Sequence, residues 1–235
     1  INQLKLKHSE TININEYPYS LSIIKNIEKI VCKKSVTFIV GENGSGKSTF
    51  LEALALHIGL NAEGGNQNMR FATRDSHSDL FNNLIVSKGI IAPKEKYFLR
   101  AESFYNVASA IDDYEVQDSY GGKSLHNQSH GEAFLSVFMN KFKGNGLYIL
   151  DEPEAALSPT RQMSLLTRMN DLINTNSQFI IATHSPIIMS FPNATIYNIS
   201  NNEILEVNYE ETEHFQITKM YLNNYGQMIK ELLAD

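Results

Sequence analysis

Residues 41–49 read GENGSGKST, and no other stretch constrains this chain as tightly. Gly41, Gly46, Lys47 and Ser48 fall at the offsets of G-x-x-x-x-G-K-[ST]. Glycines at this spacing let the backbone curl until successive N–H groups face one point. A helix opening there adds its positive end. The preceding SVTFIV (35–40) is a continuous β-branched and apolar run, as expected of a strand buried on both faces. The following STFLEALALHIGL carries Phe50, Leu51, Leu54, Leu56 and Ile58, which suits a packed helix. Strand, glycine turn and helix together make a phosphate cradle from Gly41, Asn43, Gly44, Ser45, Gly46, Lys47, Ser48 and Thr49. Lys47 is placed to neutralise β- and γ-phosphates, and the Ser48 hydroxyl to ligate Mg²⁺.

A second stretch, LYILDEPEAALSP (147–159), runs four strand-like residues into Asp151 and Glu152. Burying an acid at a strand end costs several kcal/mol unless a cation meets it. With the cradle upstream, Asp151 is expected to complete the Mg²⁺ shell through a water, and the metal to be that cation. Glu152, one residue on, is the candidate general base for an attacking water. The alternative is an acid pair capping a helix start.

The rest of the chain alternates strands and helices. QLKLKH and TININ have period 2 near the N-terminus, and KYFLRAES, QFIIAT, ATIYNIS and EILEVNY read as further strands. GEAFLSVFMNKF, RQMSLLTRMNDLINTN and the closing ITKMYLNNYGQMIKELLAD read as helices. The expectation is an α/β fold with a mostly parallel central sheet, an N-terminal antiparallel β region over 1–34 and a short helical lobe over 103–140. No repeat or linker divides the chain, so 1–235 is read as one domain. Ligands in such sheets sit beyond the C-terminal strand ends, where the motifs fall. The polar stretch 61–79, with Arg70, Arg74 and His77, is either a docking or nucleic-acid contact or a solvated loop.

The net charge of −6 is opposite to that of a globally basic nucleic-acid binder, although a local basic patch is compatible with it. Cys32 is the single cysteine, so no internal disulfide forms and a reduced, cytoplasmic compartment is expected. No apolar run approaches the roughly 18–20 residues of a bilayer span. INQLKLKHSE alternates rather than forming a signal-peptide core. Direct membrane insertion is not expected.

GENGSGKST, LYILDEPEAALSP and IIATHSP, in that order, resemble an ATP-binding-cassette (ABC) ATPase with the P-loop NTPase fold. The likeness is closer to the soluble branch of SMC-like and DNA-repair ATPases than to transporters. The resemblance implies ATP and Mg²⁺ as ligands, ATP hydrolysis, and His184 as the switch histidine reaching the γ-phosphate. It implies that QSHGEAFLSVF (128–138) is a signature segment in which Ser129 and Gly131 bind the ATP of a second subunit. His130 and Glu132 depart from the family's usual residues there. EAALS (154–158) resembles the family's dimer-crossing loop, with Ser158 in place of the common Asp. No Gln stands at the exit of KYFLRAES, so Glu102 is the substitute metal-side candidate, with Arg100 beside it. Tyr17 and Tyr19 are the candidates to stack on adenine.

Only 26 residues separate Glu102 from Ser129, too few for a long coiled coil or a transporter's usual helical lobe. A compact ATPase that sandwiches ATP in a homodimer and switches a protein partner, in DNA repair or defence against foreign DNA, is the first expectation. Alternatives are a transporter's nucleotide-binding subunit, a nucleic-acid-binding module and, least suited, a small-molecule kinase.

Overall fold

The apolar runs expected to be buried strands lie side by side in a computed structural model that describes residues 1–7, 13–69, 78–200 and 203–234. In chain order the elements are β1 (Gln3–Leu6), α1 (Ser22–Asn26), β2 (Ile30–Val31), β3 (Val36–Gly41), α2 (Lys47–His57), β4 (Gly65–Asn66), β5 (Leu84–Ser87) and β6 (Glu95–Arg100). There follow α3 (Phe104–Asp113), α4 (His130–Ser136), β7 (Gly146–Asp151), α5 (Pro159–Ile173), β8 (Gln178–Ala182), α6 (Pro186–Met189), β9 (Thr195–Ser200), β10 (Glu203–Val207) and α7 (Glu213–Leu232). Seven strands form one sheet in the order β10-β9-β3-β8-β7-β6-β4. The central five are parallel, and β10 and β4 are antiparallel edges. A second, antiparallel sheet has the order β2-β1-β5.

Alternation along the parallel strands sends successive apolar side chains to opposite faces, each of which is covered. Phe38, Val40, Tyr97, Leu99, Tyr148, Leu150, Phe179 and Ile181 point into one core with residues of α3, α4, α5 and α6. Ile39, Phe98, Leu147, Ile149, Ile180 and Ala182 point into the other, with Phe50, Leu51 and Leu54 of α2 and Leu4, Ile30 and Leu84 of the small sheet. Both faces are covered, as parallel strands require. α2 is enclosed between two sheets, which is why its apolar residues run round the helix rather than along one stripe.

Three expectations change. Thr11 and Ile12 of TININ lie outside the described residues, and 13–15 form a turn instead of a strand. There the Asn15 N–H donates to the Asn13 side-chain oxygen at 3.1 Å, the local competition that makes Asn a turn residue. The antiparallel region is not confined to 1–34, because Leu84–Ser87 supplies its third strand. Arg70, Arg74 and His77 also lie outside the described residues, while Gly65–Asn66 in the same polar stretch pairs with β6. The helical lobe contains α3, α4 and a π-helical turn at Val137–Lys141.

Phe142, just past that turn, is fully buried. Its ring stacks on Tyr148 at a centroid distance of 4.0 Å and a 6° interplanar angle, and tilts against Phe138 at 4.6 Å. Phe142→Ala is expected to cost about 3–5 kcal/mol, the range for truncating a buried aromatic. The measurement is urea unfolding, and a loss below about 1 kcal/mol would mean that the lobe is not packed as described.

Candidate active site

The glycine loop is shaped by the segment beneath it. Gly46 adopts φ +95°, and a Cβ there would lie 2.9 Å from Leu21 Cβ and Ile23 Cγ2. A side chain would therefore be excluded on both backbone and packing grounds. The Ile23 N–H donates to the Ser45 carbonyl at 3.0 Å, fixing the loop to α1. The Lys47 ammonium is buried and donates to the carbonyls of Gly41 (2.8 Å) and Glu42 (2.9 Å). Burial lowers its pKa, and the carboxylates of Glu152, Asp151 and Glu154 work against that shift.

Strand alternation delivers Asp151 to the start of α2. Residues 147, 149 and 151 share a face of β7, and Leu147 and Ile149 pack toward α2. Asp151 Oδ1 accepts from the Ser48 hydroxyl at 3.0 Å. On the neighbouring strand Arg100 pairs in register with Asp151, and Phe98, two residues back, points to the same face. Arg100 Nε lies 3.4 Å from Asp151 Oδ2, Nη1 donates to Glu52 at 2.9 Å and Nη2 to Glu102 at 2.8 Å. Arg100 is therefore a cation that the chain itself places beside Asp151, in addition to the metal expected there. Burial pushes the Asp151 carboxyl up to about 6, and Arg100 and Ser48 hold it from going higher. Glu102 is exposed and joins this group through Arg100. A cavity of about 200 Å³ is lined by Ser48, Arg100, Glu102, His130, Asp151 and Glu152.

Glu152 sits at φ 49°, ψ 53°, a left-handed conformation that turns the chain out of the sheet. Its N–H donates to the Ala182 carbonyl at 2.9 Å, keeping the exits of β7 and β8 together. Its Oε1 lies 3.5 Å from His184 Nε2. Glu154 clamps the same two exits by accepting from the Thr183 hydroxyl at 2.7 Å and from the His184 N–H. His184 Nδ1 lies 3.0 Å from Nε2 of His214, in the first turn of α7. Burial lowers the pKa of both histidines, and the Lys47 charge adds to it. A larger cavity, about 530 Å³, opens between the loop residues Glu42 and Asn43, the two histidines and Ile217 of α7.

Lys47, Ser48, Asp151, Glu152 and His184 thus lie together beyond the C-terminal strand ends. Ser129 caps α4: its N–H and hydroxyl donate to Glu132 at 3.1 and 2.6 Å, and Glu132 meets Arg161 at 3.2 Å. Gly131 is required within the chain itself, since a Cβ would fall 2.6 Å from the Ala156 carbonyl oxygen. Ser158 caps α5 by accepting from the Arg161 N–H. Tyr17 is exposed, whereas the Tyr19 hydroxyl is taken up by Asn83. Glu52, Glu154 and His214 were missed by sequence reasoning. The parity of β6 and β7 could have suggested that Arg100 and Asp151 face α2, but no motif marks His214.

Two hard oxygens side by side, Ser48 Oγ and Asp151 Oδ1, fit a Mg²⁺ ion that takes its other ligands from phosphate and water. Among the described residues no cluster of three or more His, Cys, Asp or Glu offers a metal cage. The buried carboxyl also sets a pH dependence. Because folding raises the pKa of Asp151, its contribution to stability is present at low pH and is lost as pH rises through about 6. Asp151→Asn is expected to stabilise the protein at pH 8 in EDTA by up to about 3 kcal/mol, with the gain vanishing by about pH 4. Urea unfolding of both proteins across this range is the check. Equal stability at pH 8, or a gain that grows on acidification, would contradict the assignment.

A family model described as "ABC transporter" matches residues 24–155, more than half of the chain. A second model, an AAA domain whose description names the AbiEii toxin and type IV TA systems, matches residues 131–190. The lipoprotein-releasing system ATP-binding protein LolD of Buchnera aphidicola is 28% identical over 228 residues, covering 85% of this chain and 96% of LolD. The arginine transport ATP-binding protein ArtM of Bacillus subtilis is 26% identical, covering 69% of this chain and 75% of ArtM. The solved SMC head domain from Thermotoga maritima overlays with a TM-score of 0.47 at 16% identity, over 88% of this chain and 98% of that one. With the glycine loop, the acid-ended strand and the buried lysine in place, the chain belongs to the ABC family and is an ATP-hydrolysing cassette.

Proposed function

We propose that the chain, acting as one unit over 1–235 in the cytoplasm, is an ATP-driven switch. ATP joins two copies, hydrolysis parts them, and a partner protein reads the state. The convergence of Lys47, Ser48, Asp151, Glu152 and His184 beyond the C-terminal ends of β3, β7 and β8 carries this reading. The backbone of Gly41, Asn43, Gly44, Ser45 and Gly46 and the side chain of Thr49 surround the phosphates. Lys47 exchanges its two carbonyl partners for β- and γ-phosphate oxygens. Ser48 and Asp151 hold Mg²⁺, with Glu102 at the edge of the same cavity. Bound there, the ion offsets phosphate charge. Glu152 takes the proton of the attacking water, and His184 presents Nε2 to the terminal phosphate. Tyr17 offers a face to adenine.

Ser129 and Gly131 serve the nucleotide of the second copy. ATP favours the dimer only to the extent that the dimer contacts it better than the monomer does, and this segment supplies the difference. The AAA-domain match over 131–190, whose description names a toxin and not a transporter, supports a role outside transport; within that role, DNA repair or defence against foreign DNA is our proposal. A second reading, the nucleotide-binding subunit of a membrane transporter, is favoured by the transport-related names of LolD and ArtM. The lobe of one ten-residue helix and short turns before Ser129 counts against it.

Glu152→Gln is expected to bind ATP as the parent does, to slow hydrolysis by about 10²–10⁴-fold, and to accumulate as a dimer in saturating MgATP. Light scattering that finds it monomeric would overturn the sandwich. Lys47→Ala is expected to abolish the calorimetric signal of ATP binding, and an unchanged isotherm would remove the cradle from the mechanism. Affinity capture of the Glu152→Gln form with ATP separates the two readings. A soluble protein or nucleic acid supports the first, and a membrane permease the second.

A further inference from the structure

The two histidines form a pair whose protons can be assigned from their neighbours. His184 Nε2 is buried, has no aligned hydrogen-bond partner and faces the Glu152 carboxylate at 3.5 Å. A bare nitrogen there would set a lone pair against an anion, so Nε2 carries the proton of the neutral ring. Nδ1 then holds a lone pair and must accept at 3.0 Å from His214 Nε2–H. The opposite assignment would leave His184 Nε2 bare against the carboxylate and bury an unpaired His214 Nδ1–H. Burial and the Lys47 charge disfavour a second proton on either ring.

His214 itself is fixed from the chain before it. Thr212, fully buried, caps α7 by accepting from the Phe215 N–H. The Tyr209 hydroxyl donates to the Pro186 carbonyl at 2.9 Å, and the Tyr209 ring tilts against Phe215 at 4.7 Å. The anchored first turn of α7 therefore presents His214 to the loop that follows β8.

We propose that His214 is a positioning residue for ATP hydrolysis: by donating to Nδ1 it holds His184 in the Nε2–H tautomer, with that proton directed to Glu152 and the terminal-phosphate side of the site. This rests on His184 acting at the terminal phosphate, as proposed above. It adds a residue from the C-terminal helix to the machinery.

The test combines turnover with nitrogen-15 spectra of the histidine-labelled full chain, with His184 and His214 resonances assigned by their substitution. The parent is expected to show a bare Nδ1 and a protonated Nε2 on His184. His214→Leu is expected to give a mixed tautomer signal and to lower kcat by about 10- to 100-fold, taking as the guide the range seen when the partner that orients a metal-bound histidine is removed. The KM for ATP is expected to move little. His214→Gln, whose amide N–H can donate in place of the imidazole, should restore the tautomer and hold kcat nearer the parent. A protonated Nδ1 on His184 in the parent, or full turnover in His214→Leu, overturns the proposal. A His184→Ala variant that hydrolyses ATP normally would instead defeat the role given to His184, while the tautomer signal would still report the pair.

Discussion

A carboxylate sealed under a sheet edge must have its charge answered within a few ångströms, and Asp151 is answered by Arg100 and Ser48. Both contacts depend on the register of β6 with β7 and on the packing of α2 below them. A one-residue slip would turn Asp151 to the opposite face and leave Arg100 with Glu52 and Glu102 alone. Core and chemistry therefore share one constraint. The alternation that sends Tyr148 and Leu150 to one cluster and Leu147 and Ile149 to the other also brings Asp151 to the start of α2. Half-buried Arg100 is shared among three carboxylates, and Glu152 and Glu154 lie just beyond, with Lys47 the one fully buried cation among the described residues. A site so rich in acid and so poor in base suits a divalent cation arriving with its phosphates.

The parts legible in the sequence were those written as local patterns. GENGSGKST fixed its own loop, because the positive φ at Gly46 and the buried lysine follow from residue type and spacing. The runs ending at Asp151 and before His184 declared themselves as buried strands by lacking alternation. Contacts that need register were not legible. Nothing in KYFLRAES says that its arginine lies opposite Asp151, since the order β8-β7-β6 is a property of the sheet. TININ misled because period 2 also arises where asparagines close a turn on themselves. Leu84–Ser87 was invisible as a partner of β1 because some eighty residues of chain lie between them.

The loops after β7 and β8 act as one piece. The left-handed turn at Glu152 would project its side chain freely if nothing held the backbone. Its N–H is tied to Ala182, and Glu154 reaches across to Thr183 and the His184 N–H. The proposed general base and the proposed phosphate sensor are therefore fixed to each other through backbone, which costs little further entropy when nucleotide arrives. On its far side His184 meets a helix that buries none of its side chains. What holds α7 in place is concentrated just before and within its first turn, at Tyr209, Thr212 and Phe215. Movement of this helix would be felt first at His214.

The signature-like segment needs a different argument, because within one chain it is already satisfied. The Ser129 hydroxyl spends its only proton on Glu132, and that same carboxylate takes the Ser129 N–H. These bonds lower the Glu132 pKa, so the group nearest the serine is an anion. An incoming phosphate would meet charge of its own sign, unless Arg161, 3.2 Å from Glu132, offsets it. A neutral glutamine at 132 would carry no such charge and could itself donate. For Ser129 to reach the ATP of another subunit, its proton has to leave Glu132, and Arg161 has to take over that carboxylate. Closure of the proposed dimer is thus an exchange of partners, and its net driving force is the difference between a phosphate and a carboxylate as acceptor for one serine proton.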